Sequence, residues 1–130
     1  VMAKRIREKA AARIENKDTR PFATAKYVRM SSSKAKRVID LVVGKPYAEA
    51  LAMLEQTPST ASQAVIKVLN SAAANAEHNK GLNKEDLFVA EGYANQGPTL
   101  KRGIWRGRGG HDIILKRTCH ITIVLDTVKK

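Results

Sequence analysis

The 130-residue sequence predicts an α+β fold, with three helices packed on a small three-stranded antiparallel sheet and a long protruding β-hairpin. Three apolar segments with helical spacing lie between residues 31 and 78, and strand-like segments lie on both sides of them. A glycine-rich, basic stretch follows the second strand and is too long for an ordinary loop within a small domain. These observations together favour a compact body with an extended hairpin.

The body is predicted to begin with one strand and two helices. Ala23–Met30 has the composition of a strand, and Ser31–Ser33 provides the polar residues that begin a helix. Gly44 and Pro46 mark the end of that helix and the start of the next, which runs to Gln56. The second helix presents one apolar stripe, made of Tyr47, Ala50, Leu51 and Leu54.

A third helix and two more strands complete the predicted body. The helix runs from about Thr60 to His78, and its alanine-rich face would let neighbouring elements approach closely, so we place it at the centre. Leu87–Asn95 is the second strand and Ile113–Leu125 is the third. The odd-numbered residues of the third strand share one apolar face until Arg117 interrupts it, so residues before about Thr118 should project away from the core.

We divide the chain into a basic N-terminal arm (1–22), helical or irregular, and a single α+β domain (23–130) with an extended hairpin at about 88–122. The hairpin tip covers residues 98–111. Ten residues in each arm, at roughly 3.3 Å per residue, would reach about 30 Å from the body. Isolated two-stranded ribbons are marginal in water, so we expect the tip to become ordered on its partner.

The charge distribution points to a polyanionic partner. The net charge is +12, but residues 38–93 carry −3 while residues 1–20, 21–37 and 94–130 carry +4, +5 and +6. A protein that is basic only for solubility would spread its cations evenly. Here the excess surrounds a slightly acidic middle, which is typical of nucleic-acid binding.

Two groups of cations are candidate contacts. The stretch Gly97–His120 holds five glycines, one acid and six basic residues, namely Lys101, Arg102, Arg106, Arg108, Lys116 and Arg117. Trp105 lies among them, where no core is available, and we expect it to stack on a base or sugar. The second group is Lys34, Lys36 and Arg37 near a helix N-terminus, where cations oppose the helix dipole unless an anion is close.

No pattern in the sequence indicates catalysis, a cofactor or a metal. One cysteine excludes an internal disulfide framework and the usual cysteine-based zinc sites. Cys119 and His120 are neighbours on a strand and point to opposite faces, so they cannot form a nucleophile–base pair. The sequence shows no membrane-spanning segment and no secretory signal. We therefore predict that the protein is not an enzyme.

Five sequence blocks resemble the bacterial-type uL22 family of large-subunit ribosomal proteins over about residues 25–124. The blocks are KYVRMS (26–31), KVLN (67–70), NAEHN (75–79), GPTLKR (97–102) and KRTCHIT (116–122). The resemblance implies a structural constituent of the large ribosomal subunit that binds large-subunit ribosomal RNA and aids assembly. It also implies a hairpin that lines the nascent-peptide exit tunnel.

The resemblance also implies partners and contact residues. Neighbouring large-subunit proteins and, at the hairpin tip, the nascent polypeptide would be partners, in a bacterial cytoplasm or an organelle of bacterial descent. The family's body contacts fall on Lys26, Arg29, Lys34 and Lys36, and its hairpin contacts on Lys101, Arg102, Arg106 and Arg108. The predicted RNA-binding residues are therefore Lys26, Arg29, Lys34, Lys36, Arg37, Lys101, Arg102, Trp105, Arg106, Arg108, Lys116, Arg117 and His120. The alternatives are a free RNA- or DNA-binding regulator and a nucleic-acid-modifying enzyme.

Overall fold

The computed structural model describes residues 2–127, so the first residue of the predicted arm and the last three of the predicted domain lie outside the described residues. The helices are α1 (Met2–Glu15), α2 (Ser32–Val42), α3 (Tyr47–Gln56) and α4 (Thr60–Lys80). The strands are β1 (Phe22–Val28), β2 (Leu87–Gln96), β3 (Leu100–Trp105), β4 (His111–Lys116) and β5 (Cys119–Thr127). The predicted α+β class is confirmed.

The sheet of the body has β5 in its middle, with β1 and β2 antiparallel on either side. Side chains alternate between the two faces of a strand, and one face of β5 is completely buried, namely Cys119, Ile121, Ile123 and Leu125. These residues join the core that α2, α3 and α4 form. Three helices therefore pack on one face of a three-stranded sheet, as predicted.

Helix α4 is the longest element and lies against β1, β5, α2 and α3. It begins after Ser59, whose hydroxyl accepts a hydrogen bond from the Ala61 N–H at 3.2 Å. It ends at Gly81, which adopts the left-handed conformation with φ 63° that glycine tolerates best. The helix therefore continues two residues beyond the predicted end at His78. Its buried face is mainly small residues, as predicted, with Val65, Val68 and Leu69 among four alanines.

The N-terminal arm differs from the body. It forms a fourth helix, α1, in a segment for which the sequence left helical and irregular structure open. Every residue from Ala3 to Glu15 is exposed, so α1 contributes nothing to the core. Its few apolar side chains include Ile6 and Ile14, which are both exposed. Helix propensity and charge spacing, rather than burial, therefore account for this helix.

Two strand boundaries were predicted wrongly. The expected continuous strand Ile113–Leu125 is divided into β4 and β5, because Arg117 and Thr118 leave the ladder at the base of the hairpin. The first strand ends at Val28 rather than Met30, and Tyr27 lies in a bulge with φ 58°, not at the centre of the strand. In both places a few residues leave the strand pairing, although the sequence around them remains mostly apolar.

Gly92 marks the closest approach of β2 to α2. A Cβ atom at this position would collide with Ile39 Cγ2 and would meet Val43 Cγ2 at 3.3 Å. Ile39 is completely buried, so its side chain cannot shift into solvent. The absence of a side chain at Gly92 is therefore what lets α2 pack on the sheet.

We predict that Gly92→Ala lowers the free energy of unfolding by about 1–3 kcal/mol, because the added methyl group overpacks the α2–β2 contact. The control is Gly103→Ala in β3, where a Cβ would meet nothing within 4 Å. That change should stay within about 0.5 kcal/mol. Urea unfolding of both variants measures the difference, and equal stabilities would contradict this packing.

An ion-pair clamp joins the residues before β1 to the far strand of the sheet. The Arg20 guanidinium contacts Asp18 at 2.7 Å and Glu91 of β2 at 2.8 Å, and all three side chains are partly exposed. These hydrogen bonds lower the pKa of Asp18 from 3.8 to about 2 and raise the pKa of Arg20. The clamp therefore fixes where the arm meets the body.

We predict that the Asp18 carboxyl titrates near pH 2 in an NMR titration of the folded chain, because Arg20 stabilises its charged form. The folded-state pKa is lowered, so the contribution to stability is complete above about pH 4 and is lost as the pH falls toward 2. Arg20→Gln should raise the midpoint toward 3.8, because it removes the guanidinium but keeps the hydrogen bond from the backbone N–H of residue 20. Lys45→Gln, which breaks the separate Lys45–Glu49 pair, should leave it unchanged.

Candidate nucleic-acid interface

The hairpin is a two-stranded antiparallel ribbon made of β3 and β4. Its register runs from Leu100 opposite Lys116 to Trp105 opposite His111. Every residue from Leu100 to Arg117 is exposed, so no part of the ribbon is packed on the body. Only the backbone groups that point inward pair within the ribbon, those on its two edges point outward, and its side chains have no core to enter.

Both faces of the ribbon carry cations and apolar groups. Directly opposed residues of an antiparallel pair lie on the same face. One face holds Leu100, Arg102, Ile104, Asp112, Ile114 and Lys116, and the other holds Lys101, Gly103, Trp105, His111, Ile113 and Leu115. Neither face is uniformly polar or uniformly apolar. The arrangement suits a ribbon surrounded by its partner better than one lying on a flat surface.

The tip is a short turn closed by local bonds. The Arg106 N–H donates to the Gly110 carbonyl at 2.9 Å, and the Arg106 guanidinium contacts Asp112 at 2.6 Å. Arg108 has φ 58°, which is uncommon for a residue with a side chain. Trp105 is 86% exposed. Of the predicted tip contacts, Arg108 and Trp105 project freely within the described residues, whereas Arg106 has an acidic partner.

The base of the hairpin is fixed by hydrogen bonds among three segments of the chain. The Thr118 hydroxyl donates to the Pro98 carbonyl at 2.6 Å, and the Gly97 N–H donates to the Thr118 carbonyl at 2.9 Å. Arg29, beyond the end of β1, donates from Nη1 to the Arg117 carbonyl at 2.6 Å. The structure therefore brings together Arg29 and Arg117, two predicted contacts that are 88 positions apart in the sequence.

His120 lies at the same base and already has one partner. Its Nδ1 accepts a hydrogen bond from the Tyr27 N–H at 2.9 Å, so its proton is on Nε2. The Tyr27 ring makes an edge-to-face contact with the imidazole, with centroids 4.9 Å apart. His120 therefore holds the β1 bulge in place, a role that the sequence analysis missed. Only Nε2 is left for a further contact.

The α2 cations form a separate group on the body. Lys34, Lys36 and Arg37 are all exposed, while Ala35 and Val38, one helical turn apart, are buried on the opposite side of α2. The N-cap residue Ser31 makes no capping hydrogen bond, so the helix end is not neutralised by its own side chain. Arg29 and Lys34 line an open groove of about 430 Å³ beside the N-terminal end of α4. Such a groove can accept a phosphate oxygen.

The described residues offer little for covalent or metal chemistry. Cys119 is completely buried, and burial raises the pKa of its thiol, so it is an unreactive core residue. Within residues 2–127 no three histidine, cysteine, aspartate or glutamate side chains are grouped to hold a metal ion. No helix in that range is long and apolar enough to cross a membrane.

Sequence reasoning missed the Arg20 clamp and the exposed rings of Phe22 and Tyr93. Strand register alone decides which residues share the outer face of the sheet, and no local motif reports that register. The exposed positions of the hairpin were signalled by the density of glycine and cations. The link between Arg29 and Arg117 depends on tertiary contact and has no local signal.

Comparison with known proteins identifies the family. The model of the family Ribosomal protein L22p/L17e matches residues 23–126. Large ribosomal subunit protein uL22 of Desulforamulus reducens is 51% identical over 108 residues, which cover 83% of this chain and 96% of that protein. The uL22 of Latilactobacillus sakei is 55% identical over 107 residues, covering 82% and 92%. The matched range and these identities show that the chain belongs to the ribosomal protein L22p/L17e family.

Proposed function

We propose that this chain is a structural, non-catalytic constituent of the large ribosomal subunit that binds large-subunit ribosomal RNA. The observation that carries the proposal is the ribbon Leu100–Arg117, which is exposed throughout and cationic on both faces. Membership of a ribosomal protein family supports it, as do relatives whose names place them in the large subunit. The ribbon enters folded RNA, and the body remains at the surface of the particle.

The energetics of the ribbon support an enclosing partner. Leu100, Ile113, Ile114 and Leu115 are between 39% and 55% exposed in a segment with no core of its own. Two-stranded ribbons are marginally stable in water, so contacts from outside must fix its path. RNA supplies phosphates for the cations and base and sugar surfaces for the apolar groups on each face.

The same geometry supports the tunnel assignment. From Gly97 to Trp105 the ribbon spans roughly 25–30 Å at about 3.3 Å per residue. A ribbon of that length carries the tip, with Trp105 and Arg108, far from the body. We infer that the tip lines the nascent-peptide exit tunnel and contacts the nascent chain, while the body contacts ribosomal RNA and neighbouring large-subunit proteins. Binding of the body through Lys26, Arg29, Lys34, Lys36 and Arg37 would aid assembly.

We predict that replacing Lys101, Arg102 and Arg108 with alanine flattens the salt dependence of RNA binding by about two to three units of slope, at roughly 0.7–0.9 per lost phosphate contact. Arg106 is left out because Asp112 already partners it. The control replaces Lys45, Lys67 and Lys84 with alanine. It removes the same number of positive charges, but from the slightly acidic middle of the chain. Filter binding from 50 to 300 mM salt measures both slopes.

An unchanged slope in the ribbon variant, or equal flattening in the control, would show that these ribbon side chains do not contact phosphates.

We also predict that deleting residues 103–110 leaves the body folded, because these residues make no contact with its core. Tagged full-length and deleted chains should both remain with large subunits through a high-salt wash in a sucrose gradient. A free regulator would leave the particle in that wash. If the deletion unfolds the isolated chain, by circular dichroism and thermal melting, the assignment of these residues to a free tip is wrong.

A further inference from the structure

No aromatic side chain of the described residues is fully buried, although Tyr47 packs partly buried against the core. The sequence has six aromatic residues: two phenylalanines, three tyrosines and one tryptophan. The fully buried side chains are aliphatic residues, Cys119 and Ser62. Phe22, Tyr27 and Tyr93 are 56%, 62% and 44% exposed. Aromatic rings contribute strongly to a core when buried, so three exposed rings on one small body indicate a binding surface.

The strand register places these rings on one face of the sheet. The odd-numbered residues of β5 face the helices, so the even-numbered residues face away. Phe22 is opposite Val124, Tyr93 is opposite Thr122, and Tyr27 contacts His120. No helix of the described chain packs on this outer face. Phe22 and Tyr93 come from strands on either side of β5 and are offset by two residues along it, so their backbone positions are roughly 12 Å apart.

Hydrogen-bonding groups alternate with the rings. Thr24 Oγ1 and Thr122 Oγ1 hydrogen-bond each other at 3.0 Å, and Thr122 is buried. Asn95, opposite His120, is exposed and has its amide available. His120 Nε2 carries a proton, since Nδ1 accepts from Tyr27. Flat rings beside donors and acceptors match the two surfaces of a nucleobase, its π face and its polar edge.

Continuity with the ribbon, rather than charge, points to the partner of this face. Arg20 pairs with both Asp18 and Glu91, at 2.7 and 2.8 Å, so its charge is already matched by acids. The cations Lys34, Lys36 and Arg37 belong to α2, which packs on the other face of the sheet. The outer face is continuous with the ribbon, because β2 and β5 lead directly into β3 and β4. A partner that surrounds the ribbon would reach the outer face at its base.

We propose that the outer face of the sheet binds unpaired RNA nucleobases, which stack on Phe22, Tyr93 and Tyr27. The inference rests on the proposed function for the class of partner, and adds a second mode of binding that is directed to bases. The separation of the rings means that each takes one base, with the backbone passing between them. Double-stranded RNA has its bases stacked on one another and cannot use this face.

The test compares two RNA probes of equal length with the full chain: a 12-nucleotide uridine strand and a 12-base-pair duplex. Phe22→Leu with Tyr93→Leu keeps apolar bulk but removes both rings. Loss of one stacked ring weakens binding roughly 5- to 150-fold, so we expect the double variant to bind the single strand at least about fivefold more weakly. Its affinity for the duplex and the salt slope should not change. The matched control, Phe22→Tyr with Tyr93→Phe, keeps both rings and should bind as the unaltered chain does.

Equal single-strand affinity of the leucine pair and the unaltered chain would overturn the inference, and so would an equal loss on the duplex. If the unaltered chain binds neither probe, the proposed function fails together with this inference. If the unaltered chain binds both probes with a steep salt slope, but the leucine variant binds the single strand equally well, the proposed function stands and this inference fails.

A second measurement does not depend on the folding of the variants. Ultraviolet crosslinking of assembled large subunits, followed by mass spectrometry, should give nucleotide adducts on the peptides that contain Phe22 and Tyr93. Crosslinks from these peptides to a protein, or no nucleotide adducts on them, would show that a protein or solvent occupies this face and would overturn the inference.

Discussion

The position of β5 in the middle of the sheet is the constraint on which the rest of the structure depends. β5 pairs with β1 on one side and β2 on the other, and one of its faces is completely buried under the helices. The same chain segment continues, through Arg117 and Thr118, from β4 of the ribbon. The projecting ribbon is therefore a continuation of the most strongly held strand in the molecule, which fixes its direction of exit.

The division of charge follows the division of structure. Helices α3 and α4 and most of the core residues lie in the stretch whose net charge is −3. The cations lie where the chain has no core to build: the arm, the exposed face of α2 and the ribbon. Like charges therefore do not repel one another within the packed body. The cations of the ribbon and the arm repel one another, and a polyanion bound to them would offset that electrostatic repulsion.

The sequence predicted the body well because its signals are local. The apolar stripes of α3 and α4, and the Gly44–Pro46 boundary between helices, depend on residues that are close in the chain. The interrupted apolar face located the point at Arg117 where the strand leaves the core. It did not predict the break between β4 and β5, which depends on hydrogen bonds to Pro98 and Arg29 in distant segments. The left-handed Tyr27 likewise depends on an acceptor, His120, that is 93 positions away. Whether the predicted contact residues touch RNA remains a prediction, although the structure exposes most of them.

The base of the hairpin also controls how the ribbon is turned. Between the pairs Gln96–Cys119 and Leu100–Lys116, three residues on one side face two on the other. This unequal count offsets the two arms by one residue, and the offset determines on which face of the ribbon each side chain lies. Inserting a matched pair of residues, one in each arm, would lengthen the finger while each original side chain kept its cross-strand partner. A single inserted residue in one arm would reverse that arm's two sides. Lineages that vary the length of this finger should therefore add or lose residues symmetrically.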